Sequence, residues 1–404
     1  MLRNFSSFAV AALATLTLAC RDTRPTAPLI SDSVLAAEAP GELERGQTIF
    51  RYDTFGDETF WTDTLRMHEV IRTGVSPATA LAVGLKVDAA ALPAALKEQL
   101  AAGKVDLNDP AVTVALLKLR AVVGVEGEVD RNNVLRRVGI TCALCHSTVD
   151  NSFTTGIGLR LDGWPNRDLN VGAIVALSPA LTPAQKQVYN SWGPGMYDPR
   201  FNQDGKNIPV VIPSAFGLRN VAREIYTGDG PVSYWNAYVA ITQMHGHGRF
   251  VDPRIGVSVN NPPDLVSSKL EPLRLYQFSL TAPRPKAGTF NPAMAERGRV
   301  VFNGAGKCST CHLPTTRFTD INLGRLHTAA AVGQDPAYAL RSATDRYRTT
   351  PLRGLWNPPQ LDGPYFHDGK APTLVAVVDH YVRVLKLSLT AQQRADLAEY
   401  LKTL

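Results

Sequence analysis

The chain has 404 residues, 45% of them hydrophobic and 19% charged, which excludes a disordered polymer and allows more than one buried core. Its net charge is +6, yet no run of Lys and Arg with interleaved aromatics occurs, so nucleic acid is not an expected partner. Of its five cysteines, four fall into two short motifs and the fifth, Cys20, closes the first apolar segment.

Residues 1–20 read as an export signal. Arg3 supplies a positive start, and the apolar stretch from Phe5 to Ala19 is shorter than the ~20 residues that span a bilayer. It ends Leu16-Thr17-Leu18-Ala19-Cys20, which resembles a bacterial lipobox with Cys20 as the acylated residue; ordinary cleaved secretion is the alternative. Residues 21–43, rich in Pro, Ser and Ala, read as a tether.

The first ordered region opens with Glu44-Arg45-Gly46-Gln47-Thr48-Ile49-Phe50. Nearly the same letters return at Glu296-Arg297-Gly298-Arg299-Val300-Val301-Phe302. Between the first copy and its cysteine pair lies an insertion, about 51–137, with a mostly helical pattern. Asp57 reads as the cap of a helix through Ile71, Ala89 to Ala102 as a strong helix former, and Asp109-Pro110 as the start of a helix through Val123. Trp61 and His68 stand out within it, as core or surface residues more than as site residues.

Then comes Cys142-Ala143-Leu144-Cys145-His146, and later Cys308-Ser309-Thr310-Cys311-His312. Cys-x-x-Cys-His is the spacing for covalent attachment of haem c. Two thiols three positions apart on one helical turn reach the two vinyl groups of one porphyrin, and the adjoining His binds the iron. Four zinc thiolates, with both histidines incidental, are the plainer alternative. The export signal and the separation of the pairs point to two haems, whose propionates would offset part of the positive charge. The remaining excess suits docking of an acidic redox partner.

After the first motif, Arg160 and Arg167 are candidates to hold a propionate, and Trp164 to stack on a porphyrin or lie between two haems; ordinary turns with a buried Trp are the alternative. A second repeat follows each motif. Pro213-Ser214-Ala215-Phe216-Gly217-Leu218-Arg219-Asn220 precedes Tyr226-Thr227-Gly228-Asp229-Gly230, and Pro351-Leu352-Arg353-Gly354-Leu355-Trp356-Asn357 precedes Tyr365-Phe366-His367-Asp368-Gly369. The simplest account is two tandem modules, 44–282 and 283–404, joined at Pro283-Arg284-Pro285. Ala391 to Leu404 reads as a helix whose leucines pack on the second module.

Sixth ligands separate electron carriers from peroxidases. No Met follows His312. For the first haem the repeat places Met244-His245-Gly246-His247 just past the equivalent helix, with Met244 first choice and His245 or His247 next.

The motifs, their repeat and the tail from Thr349 to Leu404, with Gly363-Pro364-Tyr365-Phe366-His367-Asp368-Gly369 and Ala371-Pro372-Thr373-Leu374, resemble the di-haem cytochrome c peroxidase and MauG superfamily. The resemblance implies an all-α protein of two cytochrome-c-like domains, a close haem pair, and a calcium ion between domains. It lays Tyr381 where the peroxidases have Met and MauG-like proteins a Tyr ligand; His380 and His367 are rivals. The peroxidases' displaceable distal His has no counterpart, since Leu161-Asp162-Gly163-Trp164 stands there.

The expected function is therefore a periplasmic di-haem electron-transfer protein, exchanging electrons with small redox proteins or quinol-linked donors and lipid-anchored at Cys20. Peroxide reduction or a MauG-like reaction is the enzymatic alternative, with Glu224 or Asp162 as acid/base and Arg219 as polarising cation. A haem-based small-ligand sensor is the non-enzymatic one.

Overall fold

A computed structural model describes residues 40–356 and 363–404; the export signal, Cys20 and the tether up to residue 39 lie outside the described residues. The sequence repeat is a structural repeat. The helix Pro40–Tyr52 crosses the helix Leu270–Ser279 at Gly46, where a Cβ would stand 2.0 Å from the Pro272 carbonyl oxygen and 2.8 Å from Tyr276 Cβ. The helix Pro292–Asn303 crosses Ala391–Leu401 at Gly298, with the same 2.0 Å to the Asp396 carbonyl and 2.8 Å to Tyr400 Cβ. Only glycine permits backbones this close. One turn on, Phe50 packs against Tyr276 with ring centroids 5.5 Å apart, and Phe302 against Tyr400 at 5.2 Å. The closing helix starts where its sequence says it should: Thr390 and Gln393 form a reciprocal capping box.

The expectation of an all-α fold is corrected. Of the described residues, 43% are helix and 12% strand, a mixed α/β architecture with five two-stranded sheets. The largest correction falls at the end of the insertion. Val125–Val129 pairs antiparallel with Leu135–Ile140, running directly into the first cysteine motif. Val-Glu-Gly-Glu-Val alternates in the strand manner, and the Asp130 carboxylate closes the turn by accepting the Asn132 and Val134 amides at 2.8 and 2.9 Å. Ser147–Val149 leaves the motif and pairs with Arg160–Asp162. Met196–Tyr197 pairs with Val210–Val211, Gly248–Asp252 with Val257–Asn261, and Val87–Asp88 runs parallel to Ile157–Gly158.

The insertion is helical where its caps are strong. Asp109 accepts the Ala111 amide and Pro110 opens the helix Pro110–Lys118, as the dipeptide predicts. Pro93 shortens the expected Ala89–Ala102 helix to Ala94–Ala101. The helix expected from Asp57 is instead a π-helical turn, Thr59–Thr64, and a separate helix, Met67–Gly74, split at Arg66 with φ 56°. Asp57 is diverted: its carboxylate accepts the Ile140 amide at 3.2 Å.

The two copies are fastened together. Gly217 (φ +67°) lies against the Arg353 side chain and Gly354 (φ +66°) against the Phe216 ring, so each repeat's glycine receives the residue that precedes the other's. Arg353 donates to the Gly217 carbonyl, and the Trp356 indole to the Pro283 carbonyl at 3.0 Å. Arg341, its side chain 1% exposed, pairs with Asp198 at 3.0 Å and Asp204 at 2.7 Å. No helix among the described residues is long and apolar enough to cross a membrane.

Candidate functional site

At the first motif, Thr141 lies at the end of the hairpin and Ala143–His146 forms one helical turn, with the His146 amide donating to the Cys142 carbonyl at 3.2 Å. Both thiols, Cys142 and Cys145, are unlinked, and burial pushes each up to about 12. Loss of water lowers the His146 imidazole to about 4, so the ring is neutral at physiological pH. Its Nδ1 lies 3.1 Å from the Pro213 carbonyl oxygen. A carbonyl only accepts, so Nδ1 carries the proton and Nε2 keeps the lone pair a metal needs.

The second motif repeats this chemistry with other geometry. Lys307, at φ 54°, turns the chain into a tight 3-10 turn, Cys308–Thr310. His312 Nδ1 lies 2.9 Å from the Phe318 carbonyl, and burial again lowers the imidazole. Burial pushes Cys308 up to about 11, and Cys311 upward as well. Cys308, Cys311 and His312 open on a cavity of about 320 Å³. Most of its wall is the second copy, including the core residues Phe302, Leu374, Val378 and Leu397; the first copy adds Pro165, Arg167, Phe216 and Tyr226.

Tyr381 lines this cavity, and burial, then the two nearby thiols, push its phenol up to about 12. His380 is not part of the wall; its Nε2 lies 2.8 Å from the Val332 carbonyl. His367 reaches the wall, but its Nε2 lies 3.2 Å from the Tyr347 hydroxyl and its ring stacks on Tyr338 at 5.5 Å. The structure thus brings Tyr381, of the three rivals, to the second motif without another partner for its side chain among the hydrogen bonds described.

At the first motif, Met244 is 3% exposed and belongs to the same apolar cluster as Cys142 and Ala143. It follows a π-helical turn, Val239–Gln243, a distortion frequent at functional sites. Of its neighbours, His245 is engaged through its ring, whereas His247 is held at one ring nitrogen only. His245 stacks on Phe60 with centroids 3.6 Å apart, and burial lowers it to about 4. His247 Nδ1 lies 3.0 Å from the Pro262 carbonyl.

Arg167, though it follows the first motif in sequence, lines the cavity at the second. Its Nε and Nη1 are buried with no hydrogen-bond partner among the described residues. A guanidinium left this way calls for an anion, since desolvated charge without a partner is costly. Arg348 and Arg353 join it on the cavity wall, and burial lowers Arg353 to about 10. Sequence reasoning missed these two; the signal was the Gly-Leu shared by both repeats, which brings Arg353 against Gly217. Arg160 lies elsewhere, paired with Asp88 at 3.2 Å. Trp164 stands edge-on to Phe216 at 6.3 Å, in a loop tied to the first motif by the Gly163 amide on the His146 carbonyl (2.8 Å) and the Asn166 amide on the Cys145 carbonyl (2.9 Å).

Asp162 is fully engaged, accepting from Arg51 and Tyr276 at 2.5 Å and Ser147 at 2.7 Å. Glu224 pairs with Arg348 at 3.0 Å and keeps one buried oxygen without a partner. Arg219 and His68 are half-buried and do not line the cavity. Among the described residues, one group of three metal-capable side chains gathers: Cys311, Asp320 and His327. The four motif thiols do not gather, which weighs against a shared zinc, and a thiol with an imidazole is not the oxygen cage calcium requires. The donor sets and the unpartnered Arg167 fit haem c.

No protein-family model matches the chain. It resembles MauG over part of its length. A stretch of 127 residues is 30% identical to the methylamine utilization protein MauG of Methylorubrum extorquens, covering 28% of this chain and 35% of that protein. The chain thus spans about a third of the length of the curated relative it matches. Hydrazine synthase of Kuenenia stuttgartiensis, solved under xenon pressure, aligns with a TM-score of 0.36 at 20% identity, over 54% of this chain and 78% of that one, a superposition too loose to establish a common fold. The superfamily resemblance read from the motifs is supported over the MauG stretch and no further.

Proposed function

We propose that the chain is a periplasmic c-type cytochrome of two tandem modules, 44–282 and 283–404, each holding one haem, that transfers electrons between redox partners. One observation carries the reading. At both motifs a neutral His spends Nδ1 on a backbone carbonyl and keeps Nε2 free, beside two unlinked thiols. Cys142, Cys145 and His146 would hold one haem, and Cys308, Cys311 and His312 the other. The bound group supplies a one-electron iron couple.

The protein sets how that couple is used. Tyr381 at the second haem would favour the oxidised iron, and Met244 at the first the reduced one, so the two differ in potential and transfer has a direction. Arg167, Arg348 and Arg353 would take the second haem's propionates. Trp164 lies in the loop that leads from the first motif to the second cavity. Small redox proteins or quinol-linked donors are the proposed partners, with a lipid anchor at Cys20 keeping the chain near a membrane. The MauG stretch supports a haem-redox role; methylamine utilization belongs to that relative.

A second reading, peroxide reduction, draws on Glu224, whose bare buried oxygen beside Arg348 could pass a proton. Haem stoichiometry, with optical and EPR spectra of the ferric and half-reduced holoprotein before and after peroxide, tests both. Two low-spin haems indifferent to peroxide support electron transfer. A high-spin iron that consumes peroxide moves the assignment to the peroxidase side. Absence of covalent haem sinks both.

A further inference from the structure

We infer that the start of the insertion, residues 54–62, is a brace that sets the Met244 turn against the first haem-attachment segment, with Trp61 as the positioning residue. The inference rests on Met244 as the first haem's outer ligand and gives a purpose to a segment with no counterpart in the second copy.

The brace grips both sides of one site. On the attachment side, the Asp57 carboxylate accepts the Ile140 amide at 3.2 Å. The Thr62 hydroxyl accepts the Val138 amide at 3.0 Å and lies 3.2 Å from the Val138 carbonyl. Gly139 is pressed so close that a Cβ there would stand 2.4 Å from Asp57 Oδ1. Three residues after Gly139 the chain reaches Cys142.

On the ligand side, the Trp61 indole N–H donates to the Met244 carbonyl at 3.2 Å, with the indole 7% exposed and Met244 3%. Phe60 lies flat on His245, tilted by 17°. The His247 amide donates to the Phe55 carbonyl at 2.8 Å, and Gly246 admits no Cβ against Phe55. His245 is held at φ 67°, a left-handed conformation that costs free energy in a non-glycine residue and persists only when its surroundings enforce it. The flat stack of Phe60 and the indole bond on the preceding carbonyl supply that enforcement. One short segment therefore ties the strand that leads to Cys142 to the backbone of Met244, and so would set how the thioether stands toward a haem held there and slow its release.

The test uses the holoprotein and three variants: Trp61→Phe, which keeps most of the apolar area and removes the N–H; Phe60→Leu, which removes the stack; and Met244→Leu. The ferric thioether charge-transfer band and the rate of imidazole binding are read for each. The expected result is loss of the band in Met244→Leu, with a weakened band and imidazole binding roughly three- to tenfold faster in Trp61→Phe, the effect of one buried hydrogen bond. Band loss in Met244→Leu with unchanged band and rate in both other variants overturns the brace and leaves the ligand assignment standing. An unchanged spectrum in Met244→Leu overturns ligand and brace together. Should Trp61→Phe fail to fold, Phe60→Leu reads the same step through His245.

Discussion

The two copies share a scaffold and differ in how they surround their cysteines. Gly46 and Gly298 make the same 2.0 Å approach to a carbonyl, and Phe50 and Phe302 sit on equivalent tyrosines. Around the first motif the insertion and hairpin close in, and Met244 is packed into a continuous apolar cluster. Around the second, a cavity opens whose charged wall comes largely from outside the local chain. The histidines run the other way. His146 finds its carbonyl 67 residues away, and His312 six residues away. A crossing of two helices can thus be inherited unchanged while the pocket beside it is built from whatever the tertiary structure supplies.

The largest way to break the comparison is to remove one attachment site. Replacing Cys308 and Cys311 together by Ala is expected to halve the covalent haem per chain, measured by haemochrome absorbance and intact mass, and the spectrum left behind is that of the first site. Next, Arg341→Leu strands Asp198, whose side chain is fully buried, and is expected to cost about 3–5 kcal/mol in denaturant unfolding. If the copies are equivalent scaffolds, Gly46→Ala and Gly298→Ala each destabilise by about 1–3 kcal/mol, because a Cβ meets a fixed carbonyl in both. A large difference between these two variants would show that one crossing yields where the other does not.

The smallest expected effect separates the copies by pH. Burial and the neighbouring Glu58 hold the Asp57 carboxyl well above the ordinary carboxylate range, although the Ile140 amide opposes the shift. Above the unfolded value of about 3.9, the folded state therefore binds more protons at this position, and stability falls as pH rises through the raised folded pKa. Asp57→Asn keeps an acceptor for the Ile140 amide and removes that term. The variant is expected to lose less stability between acid and neutral pH in denaturation curves taken across the range.

The two cysteine motifs, the repeated string around Gly46 and Gly298 and the helices opening at Pro110 and Ala391 were legible because each rests on residues close in sequence; the crossings at the two glycines were not, since each glycine meets a carbonyl far along the chain. The strands were not. Three of the five pairs run two or three residues, too short for alternation to register; of the two longer hairpins, Val125–Val129 with Leu135–Ile140 sits at the end of a segment whose helical pattern overshadowed it. Tyr381 was legible only through the resemblance, since a Tyr on an amphipathic helix carries no ligand signature of its own. Arg348 and Arg353 were missed because their meaning depends on a wall that Phe216 and Tyr226 complete from more than a hundred positions away.

Arg167 stands in the first copy by sequence and in the second copy's cavity by position. A duplicated unit that keeps its walls to itself can later be shed without harm to its twin. Here the loan of a guanidinium limits that freedom: deleting the first copy would strip the other pocket of a cation. The second pocket is therefore a property of the pair, not of either copy alone.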